Sequence, residues 1–176
     1  YEIPKRDWSS DVCSSDLMEC FIEEVARAAG IDSFEFRRQL TRNHPKHRAI
    51  LELVAEKGNW GKPTYPGVYR GIAQVMSYGT YSAAVAEASV SKEGEVRVHR
   101  IVLAANCGHA VNPGQIEAQI EGSIVYGLSA TLWGENTVAK GRIVESNFHD
   151  YRVLRLAEMP QVESIDRKST RLNSSH

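Results

Sequence analysis

The sequence predicts an α+β fold with N-terminal helices, an antiparallel hairpin-based sheet and one long helix packed across that sheet. Three observations lead to this prediction. Apolar residues between positions 18 and 57 recur at the spacing of a helix. From about residue 70 the spacing changes to two, which is the period of a strand. After Asn112-Pro113 an apolar stripe recurs every four residues to about Trp133.

Composition limits the function classes. The chain has 176 residues, a formal net charge of −1, 42% hydrophobic residues and 24% charged residues. These values fit a globular domain with a core, and they exclude a disordered chain and a nucleic-acid binder that relies on global charge. No apolar run approaches the ~18–20 residues that span a bilayer. The three cysteines show no CxxC spacing, so we expect neither a disulfide scaffold nor a metal site.

The two ends differ from the middle of the chain. Residues 6–17 read RDWSSDVCSSDL and residues 167–176 read RKSTRLNSSH, and neither stretch has an apolar face to bury. Both resemble translated sequencing-adapter sequence of the kind found at the edges of metagenomic contigs. We therefore expect residues 1–17 and 166–176 to be non-native or disordered tails, and residues 18–165 to be cut from a longer protein.

Three helices are predicted at the start of the middle part. The first covers 18–29 and ends at Gly30. Asp32 can cap the second, with Glu35 at the third helical position. We expect this second helix to bury some combination of Phe34, Phe36 and Leu40. The third helix covers 46–57 and should turn Ile50, Leu51, Val54 and Ala55 inward.

Strands follow from residue 71. The stretches 71–77 and 80–90 are rich in β-branched and small residues, and a turn at 92–95 predicts a hairpin with a strand over 95–105. Several positions in the second stretch are alanine, which indicates close approach by another layer. A second, smaller hairpin is predicted around Lys140-Gly141, and one more strand at 161–165.

The long helix carries the main candidate site. Asn112 is a good N-cap and Pro113 a good first helical residue. Gln115, Gln119 and Ser123 form a polar stripe beside the apolar one, and Gly122 lies near it. Because a glycine costs a helix ~1 kcal/mol relative to alanine, close packing of a backbone or ligand on this side is the usual compensation.

Other residues offer weaker chemistry. Cys107 and His109 share a Gly-containing loop and could form a thiol–imidazole pair, although a small residue in a tight turn explains Cys107 as well. His149-Asp150 could be a base and its orienting partner. No phosphate-binding glycine loop and no hydrolase elbow occurs. We assign no catalytic residue and no metal ligand.

Residues 105–135 read ANCGHAVNPGQIEAQIEGSIVYGLSATLWGE. This block resembles the molybdopterin-binding large subunit of the xanthine dehydrogenase/aldehyde oxidase family, on four matches in the family's order. These are Cys107-Gly108, Asn112-Pro113, the run 119–122 and Gly127-Leu128. MECFIEEVARAAGIDSFEFRRQL and SNFHDYRVLRLAEMPQVE are similar to the isoquinoline 1-oxidoreductase beta-subunit branch. Ala118, Ser123 and Tyr126 depart from the family's glycine and glutamine pattern.

The resemblance implies that 18–165 is part of a molybdopterin-binding domain, in which Gln119, Gly122 and Ser123 contact the cofactor in its dinucleotide form. It implies an enzyme that hydroxylates a small molecule, an N-heterocycle or an aldehyde, with oxygen from water. An iron–sulfur (2Fe-2S) small subunit is the implied partner, in the bacterial cytoplasm or periplasm. The family's catalytic glutamate lies downstream of the segment 159–163. We therefore expect this chain alone to be inactive and without the cofactor.

Two alternatives remain open at this stage. The chain could be a self-contained α+β binding or scaffold domain, in which Gln115, Gln119 and Ser123 form only a packing face. It could also be a thiol enzyme that uses Cys107 and His109. A Gly-Glu-Pro segment encoded a short distance downstream would favour the molybdenum hydroxylase over both.

Overall fold

The computed structural model describes residues 8–166, with side chains from residue 17 onward. The expectations for residues 1–7 and 167–176 lie outside the described part. Within it, the α+β prediction is confirmed, because helices pack on both faces of a four-stranded sheet. Three helices precede this sheet: α1 (Trp8–Ala28), α2 (Ser33–Leu40) and α3 (Pro45–Lys57). Helix α1 begins before Met18, where the sequence predicted it to start.

The third helix is confirmed in position and orientation. Its inward side chains are those predicted, Ile50, Leu51, Val54 and Ala55, and all four are buried. The N-cap of α2 is also confirmed, since the carboxylate of Asp32 accepts hydrogen bonds from the backbone amides of Phe34 and Glu35 at 3.0 and 3.1 Å. A capped helix start and a regular apolar face are local signals, which explains why both were readable in the sequence.

Leu40 does not belong to the buried face of α2, and Arg37 is buried there instead. Leu40 is 54% exposed, whereas Arg37 is 1% exposed. The Arg37 guanidinium donates to the carboxylates of Glu19 and Glu23 on α1, each at 3.2 Å. Glu19 also accepts the backbone N–H of Gln74 at 3.1 Å. This network offsets the cost of burying the Arg37 charge and fixes α1 to α2 and to the edge of the sheet.

The sheet is mostly antiparallel. Strands β1 (Val68–Ser77), β2 (Thr80–Val90) and β3 (Val96–Asn106) form an antiparallel meander. The last strand, β6 (Gln161–Asp166), pairs with β3 in parallel, so the order is β1-β2-β3-β6. The predicted hairpin is therefore confirmed, and the last strand makes the sheet mixed.

Helix α3 and helix α4 (Pro113–Trp133) cover opposite faces of this sheet. Under α3 the core contains Val54, Ala83 and Val102, and under α4 it contains Ile101 and Ile120. The small side chains of β2 allow the predicted close approach by another layer. At the end of α3, a Cβ on Gly58 would lie 2.7 Å from the Cβ of Val85.

Between α4 and β6 the chain forms a small hairpin and an irregular segment. The hairpin pairs β4 (Val138–Ala139) with β5 (Arg142–Ile143) and confirms the predicted turn. The irregular segment, 144–160, is attached to the end of α4. The backbone N–H of Leu154 donates to Ser129 Oγ at 2.8 Å, and the Arg152 guanidinium lies 4.0 Å from the centre of the Trp133 ring.

Candidate functional site

A groove of about 900 Å³ runs between the first half of α4 and the adjoining ends of β2 and β3. Its walls come from the β1–β2 turn, the start of β2, the end of β3, the loop after β3 and one side of α4. The lining residues are Tyr78, Thr80, Ser82, Leu103, Ala105, Cys107, His109, Val111, Asn112, Gln115, Ile116, Gln119, Ile120 and Ser123. The polar stripe predicted on the long helix thus faces a real depression on the surface.

The groove is largely apolar, carries several uncharged polar groups and is almost without charge. Hydroxyls and amides alternate along its walls over an apolar floor that includes Leu103, Ile116 and Ile120. No Asp, Glu, Lys or Arg side chain belongs to this lining, and His109 is its ionisable imidazole. Such a surface suits the part of a ligand that is flat, uncharged and edged with hydrogen-bond donors and acceptors.

Local turns place the groove walls. Asn112 caps α4 by accepting the backbone N–H of Gln115 at 3.4 Å, and Pro113 follows as the first helical residue. In the preceding loop, Asn106 Oδ1 accepts the backbone N–H of Gly108 at 3.1 Å, and Gly108 has a φ of 89°. A residue with a Cβ would be strained at this φ, so glycine allows the chain to turn from β3 into α4.

Two of the three predicted cofactor residues line the groove. The Gln119 side chain is exposed there and makes no hydrogen bond to the part of the chain that the structure describes. Ser123 Oγ donates to the carbonyl of Ile120 at 2.7 Å, so the hydroxyl oxygen keeps its acceptor lone pairs. Gly122 is half-buried beside them and does not line the groove, and a Cβ there would have no atom within 4 Å.

The alternative catalytic pairs are placed differently. Cys107 and His109 both line the groove and are exposed, and the described residues show no hydrogen bond between them. His149 and Asp150 lie in the irregular segment, outside the groove, with Nε2 and Oδ2 3.5 Å apart. The backbone amides of Ser146 and Asn147 donate to Asp150 and lower its pKa to about 2. Asp150 therefore has a turn-forming role.

No metal-binding cluster is found among residues 8–166, since no group of three or more His, Cys, Asp or Glu side chains comes together there. Over the same residues, no helix combines the length and the apolar character that crossing a bilayer requires. The groove therefore stands out by its hydrogen-bonding surface and not by a metal-ligand set.

Sequence reasoning missed the groove residues on β2. Thr80 and Ser82 face the groove across from α4, next to Tyr78 in the β1–β2 turn. One signal was present: two hydroxyl residues two positions apart on a strand point to the same side. Which side faces α4 depends on the pairing of β2 with β3, and that pairing is tertiary information.

Comparisons with known proteins place the chain in a family. A family model described as the molybdopterin cofactor-binding domain matches residues 18–160. Isoquinoline 1-oxidoreductase subunit beta of Brevundimonas diminuta is 34% identical over 149 residues, which cover 82% of this chain and 19% of that protein. The membrane-bound aldehyde dehydrogenase (pyrroloquinoline-quinone) of Gluconacetobacter polyoxogenes is 27% identical over 166 residues, covering 83% of this chain and 22% of that protein.

The crystal structure of the Cu,Mo-CO dehydrogenase in its carbon monoxide reduced state aligns with 51% of this chain and 12% of that one, at 20% identity and a TM-score of 0.48. The chain spans about a fifth of the length of the curated relatives named above. The family model covers most of the chain, including the whole of α4 and its groove. The chain therefore belongs to the molybdopterin cofactor-binding domain family.

Proposed function

We propose that this chain forms part of the cofactor-binding domain of a molybdenum hydroxylase large subunit, and that Gln119 and Ser123 contact molybdopterin. The observation that carries this proposal is the uncharged hydrogen-bonding groove on the family-matched segment. The primary amide of Gln119 can donate and accept at once, which matches the mixed edge of a pterin ring. Ser123 Oγ adds an acceptor one helical turn further along.

The residues present fit such a group in three respects. The hydroxyls of Thr80 and Ser82 face Gln119 across the groove and add further donors and acceptors. The apolar floor suits the body of a flat ring. The N-terminus of α4, capped by Asn112, suits the anionic end of a phosphate-bearing ligand. Gly122 keeps its proposed role because the space beside it leaves the helix backbone open to close approach.

When bound, the molybdenum cofactor supplies the oxidative hydroxylation of a carbon with oxygen from water. The part proposed for this chain is to bind and orient. Gln119 holds the pterin edge by hydrogen bonds, and the floor residues exclude water from its face. No residue of this chain is assigned as the general base. The isolated chain is accordingly proposed to be inactive and to hold no molybdenum.

The finer features of the parent enzyme rest on the resemblance and on the relatives. We propose a cofactor in dinucleotide form, a 2Fe-2S small subunit as partner, and an N-heterocycle or an aldehyde as substrate. The name of one relative refers to isoquinoline and the name of another to an aldehyde, which supports these two substrate classes. The first relative is named as a subunit, which supports a multi-subunit parent.

A segment exchange tests the cofactor proposal. Residues 18–160 would replace the matching segment of the Brevundimonas diminuta subunit, and the pterin released from the purified complex would be quantified by fluorescence. Gln119→Ala should lower the pterin content per subunit, because the amide that bonds the ring is gone. Glu117→Ala is the matched control, since Glu117 is exposed on α4 and does not line the groove. Equal pterin content in both variants would contradict the proposal.

Elemental analysis tests the proposed behaviour of the isolated chain. Molybdenum measured on the purified 176-residue chain should be far below one atom per molecule. A stoichiometric amount would show that this chain alone assembles a complete site, and would overturn the proposal that it supplies only part of one.

A further inference from the structure

A second cavity lies at the other end of α4. It has a volume of about 550 Å³, is open to solvent on one side, and is bordered by the tip of the β2–β3 hairpin, the last turns of α4 and the chain that enters β6. It shares no lining residue with the groove described above. Its size falls within the ~300–1,000 Å³ that small-molecule sites occupy. We infer that this cavity binds a small neutral aromatic molecule that carries one hydrogen-bonding group.

The cavity has both apolar and polar walls, and the apolar wall comes chiefly from α4 and from the segment before β6. From α4 come Leu128, Leu132 and Trp133, and from the segment before β6 come Leu154 and Met159. Aliphatic side chains beside an indole ring form a surface that favours a flat apolar body over an extended polar one. This wall therefore favours a ligand whose body is small and aromatic.

These walls are held in place before any ligand arrives. The Arg152 guanidinium stacks 4.0 Å from the centre of the Trp133 ring, and Arg152 also pairs with Glu158 at 2.6 Å. The backbone of Leu154 is bonded to Ser129 Oγ at 2.8 Å. Because the side chains are already ordered, binding costs little conformational entropy, which favours affinity for a small ligand.

One hydrogen-bonded pair gives the cavity a specific polar point. Ser89 Oγ and His99 Nε2 lie 2.7 Å apart, and both line the cavity. The β2–β3 ladder is irregular at Glu87/Ala88, beside His99 on the opposite strand. Whichever of the two atoms donates the shared hydrogen, Ser89 Oγ keeps a lone pair and can accept from a ligand. A ring N–H or a hydroxyl on the ligand fits this position.

The charges around the cavity favour a neutral ligand. Glu158 is occupied by Arg152 and by the backbone N–H of Arg155 at 3.0 Å. Glu95 and Arg97, of opposite sign, both lie exposed at the hairpin tip. An anion would be repelled by the carboxylates of Glu95 and Glu158. A cation would be repelled by Arg97, so a ligand without charge is favoured.

Two ligands that differ by one hydrogen-bonding group test the inference. The folded 176-residue chain would be titrated with indole and with 1-methylindole in ¹H–¹⁵N correlation spectra, following the Trp133 side-chain resonance. Indole should bind at one site, and 1-methylindole about three- to tenfold more weakly, which is the usual effect of one lost hydrogen bond. In Ser89→Ala the difference between the two ligands should disappear.

A cavity-filling variant and a surface control complete the test. Leu128→Trp should abolish indole binding, whereas Tyr126→Ala should leave it unchanged, because Tyr126 is 79% exposed on α4 and lines neither cavity. If Leu128→Trp does not fold, the comparison of indole and 1-methylindole in Ser89→Ala still tests the inference. Failure of indole to bind, or an equal preference for indole in Ser89→Ala and in the unchanged chain, would overturn the inference. Neither result depends on the proposed molybdopterin site.

Discussion

At the residue scale, one buried charge holds the N-terminal helices together. Arg37 is surrounded by Glu19 and Glu23, whose side chains remain 18% and 39% exposed. Replacing Arg37 by methionine removes the cation that these carboxylates share, while it preserves most of the packed volume. Loss of one partner of a buried pair costs up to ~3–5 kcal/mol, and the remaining exposure of the carboxylates lowers this to about 2–3 kcal/mol.

Urea denaturation of Arg37→Met checks this value. The matched control is Arg38→Met, which removes an arginine one position along whose guanidinium pairs with Glu35 at 2.8 Å and is 38% exposed. A surface pair of this kind is worth at most ~1 kcal/mol. Equal losses of unfolding free energy in the two variants would show that burial of Arg37 is not what stabilises the helices.

Asp150 allows a prediction of pH dependence. Its pKa falls from 3.8 to about 2, chiefly because the backbone amides of Ser146 and Asn147 bond to the ionised form. A lowered folded-state pKa stabilises the turn at any pH above the unfolded value, and this contribution is lost as the pH falls towards 2. Amide hydrogen exchange at Ser146 and Asn147 should therefore accelerate between about pH 4 and pH 2 relative to the intrinsic rate.

Asp150→Asn is the control for this pH effect. An asparagine can accept the same backbone hydrogen bonds through its carbonyl oxygen, but it does not titrate in this range. The variant should retain the turn and lose the extra acceleration in acid. If exchange accelerates equally in both proteins, another group controls the turn.

Arg37 and Asp150 also show which features could not be predicted from the sequence. Arg37 follows its partners Glu23 and Glu19 by 14 and 18 residues, on a different helix. A periodicity analysis treats an arginine as a solvated residue, so it considered only Phe34, Phe36 and Leu40 for the interior side of α2. Asp150 was noted beside His149, but the turn that lowers its pKa depends on backbone geometry, which the order of residues does not contain.

At the element scale, predictions succeeded where the signals were local. Helix α4 begins at Pro113 and ends at Trp133, as expected from Asn112-Pro113 and the apolar stripe. The hairpin of β2 and β3 was likewise readable from a period of two and a turn between the strands. The pairing of β6 was not predicted, since it joins β3 to a strand that lies more than fifty residues later. Long-range pairing depends on how α4 packs and not on local propensity.

Replacing Gly58 and Gly122 by alanine should change the free energy of unfolding in opposite directions. At Gly58, which caps α3, a Cβ would lie 2.7 Å from Val85 Cβ and 2.8 Å from the carbonyl of Val54, so the layers would have to separate. Such overpacking costs about 1–3 kcal/mol. At Gly122 a Cβ meets nothing within 4 Å, and alanine should stabilise the helix by up to ~1 kcal/mol.

Thermal unfolding of Gly58→Ala and Gly122→Ala measures both effects. Destabilisation by Gly122→Ala in the isolated chain would mean that the open space beside α4 is not available to a side chain. In the exchanged subunit described above, the same substitution should lower pterin content, because it fills the space that the cofactor is proposed to approach. A stabilised chain with unchanged pterin content would remove Gly122 from the proposed site.

At the scale of the whole molecule, the site could be predicted only in part. Gln119 and Ser123 share one side of α4 because they are four residues apart, so helix geometry alone brought them together. Thr80 and Ser82 reach the same groove only through the stacking of α4 on the sheet. The cavity at Ser89 and His99 was not predicted, since it requires the hairpin tip, α4 and the chain before β6 to meet.

The last residue of β6, Asp166, bears on the stability of the sheet and lies at the proposed domain boundary. Asp166 lies beside Ala105 in the parallel ladder, and both of its carboxylate oxygens are buried without a hydrogen-bond partner among residues 8–166. A buried polar group without a partner costs roughly 1–3 kcal/mol. If residues 166–176 are a non-native tail, this carboxylate has no function that would compensate for that cost. Asp166→Val should therefore raise the unfolding free energy by about 1–3 kcal/mol in urea titrations at pH 7.

Glu163→Val, on the same strand, should lower the unfolding free energy, because Glu163 pairs with Arg100 at 2.8 Å. Its replacement leaves Arg100 with the more distant carboxylate of Glu87, at 3.9 Å. The loss there should stay below ~1 kcal/mol, since the Glu163 side chain is 43% exposed. Both variants add a β-branched residue to the same strand. A difference between them therefore reports the cost of the unpartnered carboxylate of Asp166. Destabilisation by Asp166→Val would contradict the inference that this buried carboxylate is a net cost to the sheet.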